Sequence, residues 1–122
     1  MPRNKPAVYQ VIITQGAEAD ISSIVDYLLT KNESELAAQL LQEFAKAFNS
    51  LEQLPHRGHF PPELAELTKL TELADKHIRE LHVSVYRLIY RITEQDVLIL
   101  FVADGRRNIQ QALVNRALRL NQ

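Results

Sequence analysis

The sequence contains no cysteine and no long apolar run, and both absences restrict what the protein can be. Without cysteine it has no disulfide, no thiolate nucleophile and no ligands for a zinc ribbon or an iron-sulfur cluster. No apolar segment approaches the roughly 18 residues of a membrane span, and residues 1–6 lack the apolar stretch of a signal peptide. We therefore expect a cytoplasmic protein, without a membrane partner, whose stability comes from packing.

Charge of one sign is also lacking, because the formal net charge is only -1. This balance argues against a protein that coats nucleic acid through a strongly basic surface. The two parts of the chain differ, however: residues 1–75 carry 6 basic and 11 acidic side chains, whereas residues 76–122 carry 8 basic and 4 acidic ones. Seven of those eight basic residues are arginine, which suits bidentate contact with phosphate or carboxylate. We expect the function to lie in this second part.

Hydrophobic periodicity predicts the order of the structural elements. β-branched and aromatic residues over 8–14 predict a strand, and apolar residues at helical spacing predict helices over 17–32 and 34–54. A short helix opened by proline is expected over 62–67, followed by strands over 78–83, 86–92 and 97–102. Ala112, Leu113, Ala117 and Leu120 favour a closing helix, which could order only on a partner.

These elements predict a single α+β domain, 1–122, in the order β-α-α-β-β-β-α, with residues 1–6 as a disordered tail. The two long helices are joined by a short linker, so we expect an antiparallel hairpin that covers one face of an antiparallel sheet. The order of strands in that sheet does not follow from the sequence.

Strand alternation over 86–92 predicts which side chains face the helices. Arg87, Ile89 and Arg91 share one face of the strand, and Tyr86, Leu88, Tyr90 and Ile92 share the other. The second set is expected to lie beneath the helices. The arginines are then expected on the opposite, solvated face, where Arg79 of the preceding strand joins them if the register allows.

A further pair of arginines, Arg106 and Arg107, follows the last strand next to the flexible Gly105. Together with Arg79, Arg87 and Arg91 they form a candidate anion-binding concavity. The alternative is that arginine and glutamate side chains, such as those of Glu80 and Glu94, pair on an open sheet face and only keep it soluble.

Signals for cofactors and metals are weak. His56 and His59 lie in a loop without helical spacing or a third ligand nearby, so we expect no metal site. Glu63 and Glu66 are more typical of an exposed acidic face than of a catalytic carboxylate pair. No Gly-rich phosphate loop or nucleophile elbow is found, and no cofactor is expected.

Several short motifs, in this order, resemble the toxins of the RelE/ParE superfamily. They are the strand over 8–13, the stretches 17–21 and 24–28, Leu54-Pro55-His56-Arg57-Gly58, Arg79-Glu80-Leu81, the strand over 86–92, and Ala103-Asp104-Gly105-Arg106-Arg107. The similarity extends from Val8 to about Leu120. Such toxins are bacterial growth inhibitors that an antitoxin partner holds in check.

The resemblance implies one of two activities. RelE-like members are ribonucleases that cut messenger RNA on the ribosome, and Arg87 and Arg107 match the arginines that hold the scissile phosphate. The tyrosine of that set falls at Leu113, and the lysines expected before Tyr86 are absent. His82 is a candidate acid-base group, although a strand histidine is more often a packing residue. ParE-like members lack the ribonuclease set and poison DNA gyrase.

We therefore expect a ParE-like toxin that is not an enzyme, binds gyrase through Arg79, Arg87, Arg91, Arg106 and Arg107, and reaches operator DNA only through its antitoxin. The antitoxin is expected to cover the helix pair and a strand edge. Two alternatives remain: a ribosome-dependent endoribonuclease that uses Arg87 and Arg107, and a non-toxic member that acts only as a co-repressor with its antitoxin.

Overall fold

The computed structural model describes residues 8–70 and 77–117, and the predicted order of elements is confirmed there. The expected tail over 1–6 and Leu120 lie outside these residues. The elements are β1 (Gln10–Ile13), α1 (Gln15–Thr30), α2 (Ser34–Gln53), a 3₁₀ turn (Pro55–Arg57), α3 (Pro62–Leu70), β2 (Ile78–Val83), β3 (Tyr86–Ile92), β4 (Asp96–Asp104), α4 (Gln110–Ala112) and a π-helical turn (Leu113–Ala117). We refer to the last two as the C-terminal turns. None of the helices in residues 8–70 and 77–117 combines the length and the hydropathy of a membrane span.

The sheet has the strand order β1-β4-β3-β2. Strands β2, β3 and β4 form the antiparallel meander that the sequence predicts, but β1 pairs with β4 in parallel, with Val11 opposite Val97. The expectation of a purely antiparallel sheet was therefore wrong. Parallel strands need a crossover connection, which begins here with α1 and α2, and pairing between such distant segments leaves no local sequence pattern.

The first face of the sheet packs against the helical hairpin, as predicted. Leu88, Tyr90 and Ile92 of β3 lie in one apolar cluster with side chains from both helices, including Leu28 of α1 and Phe44 of α2. The hairpin turn passes through Asn32, whose φ of 59° is the left-handed conformation that often ends a helix. Alternation in β3 thus positions its larger apolar side chains beneath α1 and α2.

The second face of the sheet is covered as well, and the expectation that it is solvated was wrong. Leu64 of α3, Ile109 and Leu113 pack there against strand residues that share this face: Ile78, Ile89, Leu100 and Phe101. The register between β3 and β4 shifts after Ile89, so that Leu100 is an extra residue in β4. Both Leu100 and the next residue then point towards the second face, which α3 and the C-terminal turns must cover.

Candidate functional site

Arg87 lies on the second face of the sheet but does not reach solvent. The residue is only 5% exposed, because α3 and the loop after β4 close over it. Alternation correctly placed Arg87 on the face opposite to Leu88, and the exposure predicted for it was wrong. The covering elements that bury Ile89 bury its neighbouring arginine too.

The guanidinium group of Arg87 uses all of its hydrogen-bonding capacity inside the protein. Its two terminal nitrogens donate to the two carboxylate oxygens of Glu63, each at 2.7 Å. Its Nε donates to Oε1 of Glu80 at 3.0 Å, and a terminal nitrogen donates to the same oxygen. The remaining bond runs to the backbone oxygen of Arg107 at 3.1 Å. A guanidinium has five N–H donors, so none is left for a phosphate.

This buried network fixes the loop that follows β4. Arg87 donates to the carbonyl of Arg107, and Glu63 accepts from the backbone N–H of Ile109 at 3.3 Å. The hydrogen bonds from Arg87 lower the pKa of Glu63 from 4.5 to about 2, so its carboxylate stays ionised over the whole physiological range. Arg87 is therefore the internal support of the segment that presents Arg106 and Arg107.

Arg106 and Arg107 are both exposed, as the sequence predicts. The side chain of Arg106 is 92% exposed and pairs with Asp104 at 3.3 Å, an interaction that solvent weakens. Arg107 lines a cavity of about 430 Å³ beside the last residues of β4. These two arginines form an exposed basic pair on a loop held from within by Arg87.

The other two predicted arginines do not join this pair. Arg79 lies opposite Tyr90 in the β2–β3 register, and directly paired residues share a face, so it is on the side of the helical hairpin. There it donates to the carbonyl of Gly58 at 2.8 Å. Arg91 is half-buried and lines a separate cavity with Tyr9 and His77. Arg91 and Arg87 are four residues apart in β3, which places their Cα atoms about 13 Å from each other. The single concavity expected for all five arginines is therefore not formed.

Tyr90 anchors the loop that precedes α3. Its hydroxyl donates to the carbonyl of Pro55 at 2.8 Å and accepts from the backbone N–H of Gly58 at 3.0 Å. Burial raises the pKa of Tyr90, so the hydroxyl keeps its proton. A side chain at Gly58 would collide with this hydroxyl and with the backbone of Glu80. Close packing thus explains Gly58 of the Leu54-Pro55-His56-Arg57-Gly58 motif.

A second polar group surrounds the other oxygen of Glu80. His59 and His82 direct Nε2 towards Glu80 Oε2, at 2.8 Å and 3.1 Å. Their rings stack with centroids 5.6 Å apart. Sequence reasoning compared His59 with the wrong histidine, His56, because a contact across the sheet edge has no spacing along the chain. The signal that was available is the i, i+2 spacing of Glu80 and His82 in a strand, which places both on one face.

Arg116 is a further functional candidate that the sequence did not single out. From the C-terminal turns it pairs with Asp20 of α1 at 3.0 Å and lies over the ring of Phe101 at 5.0 Å. Asp20 also accepts from the backbone N–H of Val102 at 2.9 Å, beyond the end of the β1 pairing. Arg116 lines the same cavity as Arg107 and ties the C-terminal turns to α1.

The described residues do not assemble the ribonuclease set. Leu113, at the position of the RelE-type tyrosine, is fully buried in the second apolar cluster. The N–H groups of Arg87 are engaged by Glu63, Glu80 and the Arg107 carbonyl, and the side chain of Arg107 is exposed. The arrangement is suited to presenting a basic loop and is poorly suited to holding a scissile phosphate.

Comparisons with known proteins identify the family and the fold. The family described as "ParE toxin of type II toxin-antitoxin system, parDE" matches residues 11–109. A chain of the chromosomal ParDE toxin-antitoxin system from P. aeruginosa has a similar fold, with a TM-score of 0.60, 19% identity, and 80% of this chain and 96% of that chain covered. A chain of the RelBE2 toxin-antitoxin complex from Mycobacterium tuberculosis matches with a TM-score of 0.51, 27% identity, and 84% and 97% covered. Curated protein sequences show no significant match.

The family match spans most of the chain, from the second residue of β1 to beyond the end of β4, and includes Glu63, Arg87 and Arg107. The protein therefore belongs to the ParE toxins of type II toxin-antitoxin systems, within the RelE/ParE superfamily.

Proposed function

We propose that the protein acts in the cytoplasm, where it stops growth by inhibiting DNA gyrase, and that a cognate antitoxin neutralises it. The observation that carries this choice is the state of Arg87. In a ribonuclease of this superfamily an arginine at this position would have to meet phosphate, but here its N–H groups are all engaged by Glu63, Glu80 and the Arg107 carbonyl. An inhibitor that works by docking needs exposed groups instead.

The exposed basic pair Arg106 and Arg107 is the proposed contact with gyrase. Both side chains reach solvent, and the loop that bears them is held by the buried network beneath. A rigid loop loses less conformational entropy on binding than a mobile one. The positive charge would steer the toxin to an acidic surface of its target.

The surface proposed for the antitoxin lies on the side of the helical hairpin. Arg87, which supports the basic loop, lies on the opposite side of the sheet. An apolar groove of about 240 Å³ runs between α1, α2 and the end of β1, lined by Ile13, Ile21, Leu41, Phe44 and Phe48. β1 is an edge strand whose only strand partner among the described residues is β4. An antitoxin segment that adds a strand to β1 and inserts apolar side chains into the groove would use two established modes of peptide recognition. Operator DNA would then be reached through the antitoxin.

A supercoiling assay tests the proposed target. Purified toxin should inhibit gyrase, and Arg106→Ala/Arg107→Ala should inhibit it roughly 10-fold less well, which corresponds to about 1.4 kcal/mol of binding free energy. Lys46→Ala/Arg57→Ala is the matched control, because it removes the same charge from exposed positions outside the loop. It should inhibit like the wild type.

Two results would replace the proposal. Unchanged supercoiling at high toxin excess, together with cleavage of ribosome-bound messenger RNA in a toeprint, would favour the endoribonuclease. Normal growth after induction of the chain without its antitoxin would favour a co-repressor that is not toxic.

A further inference from the structure

A cluster formed by His59, Glu80 and His82 has no part in the proposed contacts with gyrase or the antitoxin, although His82 and Arg106 line one cavity. Within the described ranges, this is the group of potential metal ligands whose donor atoms lie within 4.8 Å of one another. We propose that it binds a divalent transition-metal ion of the Zn²⁺ type, with the two imidazoles and Glu80 Oε2 as ligands.

The backbone places the three ligands before any metal binds. His59 and Glu80 exchange two backbone hydrogen bonds, at 2.9 Å and 2.7 Å, and so form an isolated β-bridge on the outer edge of β2. Paired residues in such a bridge share a face. Glu80 and His82 share the same face because they are two apart in one strand. The backbone alone therefore brings the three side chains together, and no segment has to move to form the site.

The distances between the ligand atoms fit a small ion. Each Nε2 lies about 3 Å from Glu80 Oε2, at 2.8 Å for His59 and 3.1 Å for His82. An ion with tetrahedral bonds of roughly 2.0 to 2.1 Å separates its ligand atoms by about 3.3 Å. The two Nε2–Oε2 distances would need to lengthen by a few tenths of an ångström, and the two Nε2 atoms, which lie within 4.8 Å of each other, would need to settle near the same separation. The imidazole side chains are 59% and 57% exposed, so the site has a path to solvent and an open fourth position.

The local charge also favours a cation. Glu63 and Glu80 are two carboxylates that share one guanidinium, that of Arg87. Glu80 is nearly buried, with a side chain 3% exposed, and its Oε2 contacts only the two imidazoles among the described residues. The bond from Arg87 to Oε1 orients this carboxylate, as outer-shell partners orient metal ligands. A divalent ion held by the Nε2 atoms of two neutral imidazoles, each with its proton on Nδ1, would balance the surplus negative charge.

Zinc titration of the untagged, chelator-treated full chain tests this site. We expect one Zn²⁺ per chain, and with Co²⁺ the visible absorption of a four-coordinate complex. His59→Ala and His82→Ala should each weaken binding at least ~10-fold, since loss of an outer-shell partner alone typically costs 10- to 100-fold. His56→Ala is the matched control, because it removes a histidine from the same loop that is not in the cluster. It should bind zinc like the wild type.

Thermal melting supplies a second readout. Zinc should raise the melting temperature of the wild type and of His56→Ala, and should leave His59→Ala and His82→Ala unchanged. Melting without metal shows that the variants fold. Absence of zinc binding by the folded wild type, or affinities that both His59→Ala and His82→Ala leave unchanged, would overturn the proposal.

Discussion

The two faces of the sheet are both covered, but by different chemistry. On the first face, α1 and α2 bury a continuous apolar cluster that includes Phe44, Leu88 and Tyr90. On the second face, α3 and the C-terminal turns bury a smaller apolar cluster around Ile89, and next to it a charged one in which Arg87 meets Glu63 and Glu80. The packing of the first face is apolar, whereas the second face couples stability to the position of the exposed basic loop.

Among the changes that test this difference between the two faces, removal of the buried guanidinium of Arg87 should lower stability most. Arg87→Ala would leave the buried carboxylate of Glu80 and the partly buried one of Glu63 without their partner, and we expect a loss of about 3 to 5 kcal/mol in the free energy of unfolding. Urea denaturation measures it. The apolar replacement of all three groups, Arg87→Met with Glu63→Leu and Glu80→Leu, should recover most of that loss. Equal destabilisation by the single and triple changes would show that packing, and not charge, holds the second face.

Acid should have the next largest effect, because it removes the stability that Glu63 contributes on the second face. Because the pKa of Glu63 is about 2 in the folded protein and 4.5 ordinarily, its contribution is fully present above pH 4.5 and is lost as the pH falls towards 2. That contribution is on the order of 3 kcal/mol. The urea midpoint should therefore fall over this range, and Glu63→Gln should show a shallower fall. Parallel curves for the two proteins would contradict the assignment.

A smaller loss of stability is expected when the hydrogen bonds of the Tyr90 hydroxyl, on the first face, are removed. Tyr90→Phe removes a hydroxyl that donates to Pro55 and accepts from Gly58, both in a buried setting. We expect a loss of about 1 to 2 kcal/mol in the free energy of unfolding, measured by thermal or urea denaturation. Tyr86→Phe, which changes a half-buried tyrosine on the same face, is the control and should change stability less.

The sequence predicts the first face well because its signals are local. Alternation over β3 and the helical spacing of residues such as Leu40, Phe44 and Leu51 identify both partners of the packing. The pairing of β1 with β4 was not predictable in this way, since parallel contacts join segments that are far apart in the chain.

The burial of the second face was not predicted because the segments that cover it are short. Leu64, Ile109 and Leu113 are too few and too scattered to give a helical pattern. One signal was nevertheless present in β4, where Val97 to Val102 are all apolar. A strand without alternation is typical of a sheet that is buried on both faces. This pattern predicts that Arg87 is buried and therefore paired with carboxylates.

A double-mutant cycle between Arg87 and Glu63 tests most directly whether Arg87 is an internal support. The free energies of unfolding of Arg87→Gln, Glu63→Gln and the double variant would be compared with that of the wild type. A buried bidentate pair predicts a coupling energy of roughly 1 to 3 kcal/mol. Additive effects, within about 0.5 kcal/mol, would mean that the two side chains do not interact, and would contradict the role of this pair in supporting the loop.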